Sequence, residues 1–322
     1  MNSQKSIVSR DVFYKGLHES DLSIISIVPK SDLHNHAGRG GRIEDLSLRI
    51  RPLQKPFKTL NEMQQWFEEN VKANCPKGTE GYLYRVEAAF RQAARDNIQK
   101  LALSFGPGEV VALGGIENFI NTMDALKKKH IEAYEFIPEL SLLRSDITDN
   151  EICQMKELLS SGWFKSLDVC GNEMSGPLDK YVPLYRYARS KGLMLKVHVG
   201  EFGSANDVRH AVELLELDEV HHGIAAADSK EVMAYLRDNK IILNVCPTSN
   251  ILLSRVESYE KHPIRHLVDA GVAVTINTDD LAIFNASVSD EYLNLFNSKV
   301  FTFEELDRIR LGGLTAYNKY SK

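Results

Sequence analysis

Residues 262–280 read HPIRHLVDAGVAVTINTDD. Ile264, Leu267 and Val268 recur at helical spacing, and Gly271 follows as a helix stop. Val272–Thr278 is a β-branched, apolar run of strand length that ends in the acidic pair Asp279-Asp280. The stretch predicts a helix over Pro263–Ala270, a tight turn, and a strand that delivers two carboxyl groups at its C-terminal end. Two acids there are costly to bury unless they are paired, protonated or bound to a metal.

The same unit recurs along the chain. Strands are predicted over Lys30–His36, Lys100–Phe105, Glu135–Leu140, Ser166–Cys170, Met194–His198, Glu219–His222, Ile241–Cys246 and Val272–Thr278. Helical periods lie between them, over Glu80–Asn97, Gly115–His130, Leu178–Ser190, Ala205–Leu214, Lys230–Asn239 and Pro263–Ala270. This alternation predicts an α/β fold, a (β/α)8 TIM barrel. Periodicity alone does not separate it from a doubly wound open sheet. Arg42–Asn97 is too long for one crossover helix and reads as a helical insertion after the first strand. Met1–Val28 precedes the barrel. No Pro/Ser-rich linker or charge block divides the chain, so residues 1–322 read as a single domain.

Composition narrows the function classes. Lys plus Arg is 39 against 44 Asp plus Glu, a net charge of −5, so no basic excess is available to neutralise phosphates. A nucleic-acid partner is not expected. Hydrophobic residues are 43%, enough for a large core rather than a disordered chain. Cys75, Cys153, Cys170 and Cys246 are far apart and include no CxxC pair, which points away from disulfides and thiolate zinc sites. Leu22–Val28 is short and stopped by Pro29, so neither a leader nor a membrane span is expected. A cytoplasmic location follows. Nothing in the sequence assigns an oligomeric state.

Chemistry concentrates at the strand ends. His34 and His36 stand two apart, so a strand presents both on one side, as a Zn²⁺ site with nitrogen ligands requires. An HxH pair arises by chance about 0.3 times in a chain with this many histidines, so it carries little alone. His198 ends the fifth strand as a third imidazole, and Glu201 lies just beyond, placed to transfer protons. His221-His222-Gly223 ends the sixth; strand alternation expects one imidazole inward and the other outward. Asp279-Asp280 ends the eighth. Groups drawn from several strand ends at one face are how a barrel builds an active site.

These words together resemble the adenosine deaminase family of the amidohydrolase superfamily. The matching stretches are PKSDLHNH (29–36), LDVCGNE (167–173), HVGEFGSANDV (198–208), HHGIAAADS (221–229), NVCPTSN (244–250), HPIRHLVDAG (262–271) and TINTDDLAIF (275–284). The resemblance implies a metal-bearing barrel with His34, His36, His198 and Asp279 as ligands. It implies hydrolytic deamination of adenosine or a related 6-aminopurine nucleoside by metal-bound hydroxide, giving a 6-oxopurine and ammonia. Glu201 would protonate the ring nitrogen, His222 would orient or deprotonate the water, Asp280 would bind purine N7, and the Gly171 N–H would bind N3. Thr59–Phe67 resembles a helical lid lined by Leu60, Met63 and Phe67. One Zn²⁺ is the expected cofactor, although nitrogen and oxygen ligands also suit Fe²⁺ or Mn²⁺.

Two departures keep the substrate open. Where the family has Leu-Asp-Gly after HxH, with its Asp contacting ribose, this chain has Ala37-Gly38-Arg39. Arg39 or Arg42 would there suit an anion such as a phosphate. His221 replaces a glycine, and either crowds the site or points outward. The alternatives are deamination of another aminated heterocycle or of a phosphorylated nucleoside, and a non-catalytic nucleoside-binding protein on the same fold.

Overall fold

The computed structural model describes residues 3–46, 56–131 and 135–316. Its strands all pair in parallel, in two arcs. The first arc runs in order through β1 (Lys30–Asp32), β2 (Ile98–Phe105), β3 (Glu135–Leu143), β4 (Ser166–Cys170) and β5 (Met194–Leu195). The second runs through β6 (His198–Val199), β7 (Glu219–His222), β8 (Ile242–Val245) and β9 (Ala273–Ile276).

Two seams join the arcs. β5 and β6 are the ends of one stretch: Lys196 N donates to Leu167 O at 2.9 Å, and Val197 O accepts from His221 N at 2.9 Å. At the other seam Asp279 N donates to His34 O at 2.9 Å, and Asn35 and Asp279 form an isolated parallel bridge. The eight expected strands are therefore present as a (β/α)8 barrel, the fifth in two pieces.

The first strand is shorter than its apolar pattern predicts, and side chains explain why. Leu33 N donates to the Asn277 Oδ1 at 2.7 Å instead of to a neighbouring backbone carbonyl. Asn35 Nδ2 donates to Asp32 Oδ2 at 2.9 Å and to Thr278 Oγ1 at 3.0 Å. Amide side chains thus replace the ladder where the chain leaves β1. His36 then returns to the sheet in a single bridge with Ser104 of β2.

Helices surround the barrel. Leu60–Asn70 and Gly78–Arg95 form the insertion expected between the first two strands. Thr59 caps the first of these by accepting from Glu62 N. Its Met63 and Phe67 are buried in a small cluster with Phe57, Leu253, Ala282 and Phe284, separate from the main core. This cluster sits the insertion against the segments that follow β8 and β9. Helices at Asp149–Ser160, Val288–Asn297 and Phe303–Thr315, absent from the sequence reading, each begin with a reciprocal capping box: Thr148/Glu151, Ser287/Asp290 and Thr302/Glu305. No helix among the described residues is long and apolar enough to cross a membrane.

The barrel interior below the strand ends is charged. Lys196 is fully buried; its Nζ lies 2.9 Å from Glu139 Oε2 and 3.6 Å from Glu219 Oε2, and donates to Leu33 O at 3.1 Å. Asn244 Nδ2 donates to Glu219 Oε2 at 2.7 Å, and Thr275 Oγ1 to Asn244 Oδ1 at 2.7 Å. Buried charges survive only when paired and hydrogen-bonded, and this floor meets that condition by linking β3, β7, β8 and β9 to Lys196 in the stretch between β5 and β6.

Candidate active site

Above this floor the imidazoles converge. Nitrogens of His34, His36 and His198 lie within 4.8 Å of one another. His34 Nε2 and His198 Nε2 are 2.9 Å apart, and Asp279 Oδ1 lies 3.6 Å from His34 Nε2 and 3.3 Å from His36 Nε2. The three predicted histidine ligands therefore converge, and the predicted Asp279 lies against two of them.

Their outer nitrogens decide which way the lone pairs face. His198 Nδ1 lies 3.0 Å from Asp168 Oδ1, and Ser141 Oγ donates to the other Asp168 oxygen at 2.6 Å. Burial works to raise the Asp168 pKa, but His198 outweighs it and holds the group below its ordinary value, as a carboxylate acceptor. His34 Nδ1 faces the Asn244 carbonyl at 3.4 Å, and His36 Nδ1 meets Ser104 Oγ at 2.7 Å. With protons on the Nδ1 atoms of His34 and His198, their Nε2 lone pairs face each other across 2.9 Å. A cation between them relieves that repulsion, and the outer partners fix each ring as metal-ligating histidines require. The donor set fits a divalent cation with N₃O ligation.

The field around the point favours positive charge. Burial opposes charge on His36, yet its hydrogen bond to Asp279 and the charges of Asp280 and Asp279 lift it to about 9. Burial works to raise Asp279, but His36, His222 and the Ser249 hydroxyl bring it well below the ordinary carboxylate range. Ser249 Oγ donates to Asp279 Oδ2 at 2.6 Å.

Both histidines of the His221-His222 pair point inward, which corrects the expected alternation. Residue 222 has φ +62, a left-handed conformation that turns its side chain back into the mouth. Its Nδ1 lies 3.6 Å from Glu201 Oε1 and 3.2 Å from Asn250 Nδ2. Burial holds His222 down to about 3. His221 instead joins the floor: Nε2 meets Glu139 Oε1 at 3.1 Å, and its ring centre lies 4.0 Å from that of His34. It neither crowds the mouth nor points to solvent. Asp279, with φ +59, makes the same left-handed turn.

Glu201 stands on the loop after β6, and Asn250 Nδ2 donates to its Oε1 at 3.3 Å. Its carboxyl is raised well above the ordinary range, first by burial and then by the charges of Asp279 and Glu173. Glu173 builds that loop, accepting backbone N–H groups from Gly200, Glu201, Phe202 and Gly203 at 2.7, 2.8, 2.7 and 3.2 Å. Gly200 has φ +75, and a Cβ there would meet Val208 Cγ2 at 2.3 Å, so the turn admits only glycine.

At the rim, Asp280 Oδ2 accepts from Arg39 Nη1 at 2.7 Å. Arg39 Nη2 donates to Gln64 of the insertion, and its guanidinium lies 4.4 Å over the Phe67 ring. Arg42 is tied to Ser287 and Asp290. Of the expected lid residues, Met63 and Phe67 are buried against neighbouring segments and Leu60 is half-buried. Gly171 follows β4 at the same end of the barrel, with φ +89. Sequence reasoning gave no role to Asp168, Ser104, Ser249, Asn250 or Glu173. Asp168, Glu173, Ser249 and Asn250 lie inside the quoted words LDVCGNE and NVCPTSN, so the signal was present.

A sequence model described as adenosine deaminase matches residues 140–317. The chain is 30% identical to a putative adenosine/adenine deaminase of Treponema pallidum, over 85% of this chain and 93% of that one. The chain belongs to the adenosine deaminase family. Solved structures agree on the fold: the adenine deaminase of Arthrobacter aurescens superposes with a TM-score of 0.76 at 20% identity, over 90% of this chain and 94% of that one. An amidohydrolase from Burkholderia ambifaria, solved with bound zinc, gives 0.72 at 21% identity, over 92% and 87%. As a member of the adenosine deaminase family, the protein is a metal-dependent deaminase of adenosine-like purines.

Proposed function

We propose that the chain replaces the 6-amino group of adenine, adenosine or a close 6-aminopurine by oxygen, with a single Zn²⁺ held by His34, His36, His198 and Asp279. The observation that carries this reading is the convergence of the three histidines, with Asp279 against two of them and the Glu201 carboxyl close to His222 and Asp279. The zinc-bound relative and the relative named for adenosine and adenine support it.

When bound, the cation supplies acidification of a water molecule at neutral pH. The chain's own residues do the rest. His222, held neutral by burial, accepts a proton from water and passes it to the departing amine. Glu201 gives its proton to the ring nitrogen beside the attacked carbon, so the ring takes up the electron pair as the carbon becomes tetrahedral. Asn250 bridges the two groups and keeps them in register. Asp279 holds charge at the centre, and Asp280 with the Gly171 backbone would orient the purine. As ammonia departs, the hydroxyl proton left on the tetrahedral carbon returns to Glu201, so that over the cycle water supplies the product's oxygen, one proton to ammonia and one that replaces the proton Glu201 gave to N1. Arg39 and Arg42 are both engaged with carboxylates, which favours a non-phosphorylated substrate over the phosphorylated alternative at these two positions.

The test is ammonia release from adenine, adenosine, deoxyadenosine and AMP on one metal-analysed sample. Release from a non-phosphorylated purine supports the proposal; tight binding with no release under metal-replete conditions overturns it in favour of a binding protein.

A further inference from the structure

Asp280 is 3% exposed, and its two oxygens differ. Oδ2 accepts from Arg39 Nη1 at 2.7 Å, whereas Oδ1 is buried with no hydrogen-bond partner among the described residues. An Asp280 oxygen lies within 4.8 Å of ligand atoms of both His36 and Asp279, so the carboxyl group borders the reaction centre. Arg39 is itself fixed, by Gln64 and by the Phe67 face as well as by Asp280. A carboxylate paired to a fixed arginine presents its second oxygen as an acceptor, and a buried acceptor without a partner calls for a donor from a ligand.

Resting on the function proposed above, we infer that the Arg39–Asp280 pair selects purines that carry an N–H on the five-membered ring. Such an N–H exists only in the free base. In adenine the imidazole proton sits on N9 or N7, and its N7–H form can donate to Asp280 Oδ1. A substituent on N9 removes that proton and leaves N7 as a lone pair, which would face the carboxylate oxygen. A site built to receive a donor rejects a ligand lacking it by large factors, because its own buried group stays unpaired. The substrate is therefore a 6-aminopurine base in preference to a nucleoside.

The probes are adenine, 9-methyladenine and adenosine, with ammonia release measured on the metal-replete wild-type chain. 9-Methyladenine separates the missing N–H from the bulk of a sugar. The inference expects kcat/KM for adenine to exceed that for 9-methyladenine by about 100-fold or more. It expects the same order in calorimetric affinities of the Glu201→Gln variant. Asp280→Asn, whose amide can donate, should shrink the preference at least about tenfold or reverse it. Equal handling of adenine and 9-methyladenine by the wild-type chain, or a preference for adenosine, overturns this inference and leaves deamination standing. Release from none of the three overturns the functional reading, and this inference with it.

Discussion

Glu173 and Glu201 are joined through the backbone: the Glu173 carboxylate accepts the Glu201 N–H at 2.8 Å together with those of Gly200, Phe202 and Gly203. One carboxylate from the segment after β4 thereby sets the conformation of the loop that carries Glu201, the proposed proton donor. Hydrogen bonds to a charged group contribute about 1.5–3 kcal/mol each, and Gln cannot reproduce four of them because its amide nitrogen is a donor. Glu173→Gln is expected to lower kcat at least about tenfold while metal content stays at the wild-type level. Unchanged kcat would show that the loop holds Glu201 without it.

Glu201→Gln tests the proton donor itself. Turnover should fall by about 10²–10⁴ with metal and fold retained. The wild-type rate should decline as pH rises through the raised Glu201 pKa, because the acid form is the reactive one. A variant within about threefold of wild type would remove Glu201 from the reaction.

The strand-end words pointed to the proposed ligands before any coordinates: HxH, the histidine of HVGE, and the first Asp of TDD come together at one end of the barrel. What alternation could not show was backbone conformation. His222 adopts a left-handed φ, and this is why it faces inward together with His221; Asp279 makes the same turn at its own strand end. Nor could it show that Lys196, Glu139 and Glu219, from three different strands, neutralise one another inside the barrel. The pairing of Arg39 with Asp280 joins residues 241 positions apart, a relation that only the barrel's closure creates.

That charged floor makes a prediction of its own. Lys196→Met leaves Glu139 and Glu219 buried without their shared ammonium. Removing one partner of a buried ionic group costs about 3–5 kcal/mol, so the melting temperature should fall by several degrees or the variant should fail to accumulate. A melting temperature within about one degree of wild type would contradict the pairing.

Glu291 predicts how stability varies with pH. It is fully buried, accepts from Thr248 N at 3.0 and 3.3 Å, and burial raises it from 4.5 to about 8. The folded chain keeps a proton that the unfolded chain releases above about 4.5, so stability is lost as pH rises from there toward about 8. The loss is on the order of 4–5 kcal/mol at its limit. Glu291→Gln removes the titration and should flatten the fall in melting temperature between pH 5 and 9, as read by thermal unfolding across that range. Parallel wild-type and variant curves would contradict the assignment.

The most direct measurement is metal content by elemental analysis, taken with ammonia release, on the wild-type chain and on His198→Ala. The account predicts about one divalent ion per wild-type chain, with metal and turnover lost together in the variant. Full turnover by metal-free wild-type chain, or undiminished metal in His198→Ala, would contradict it.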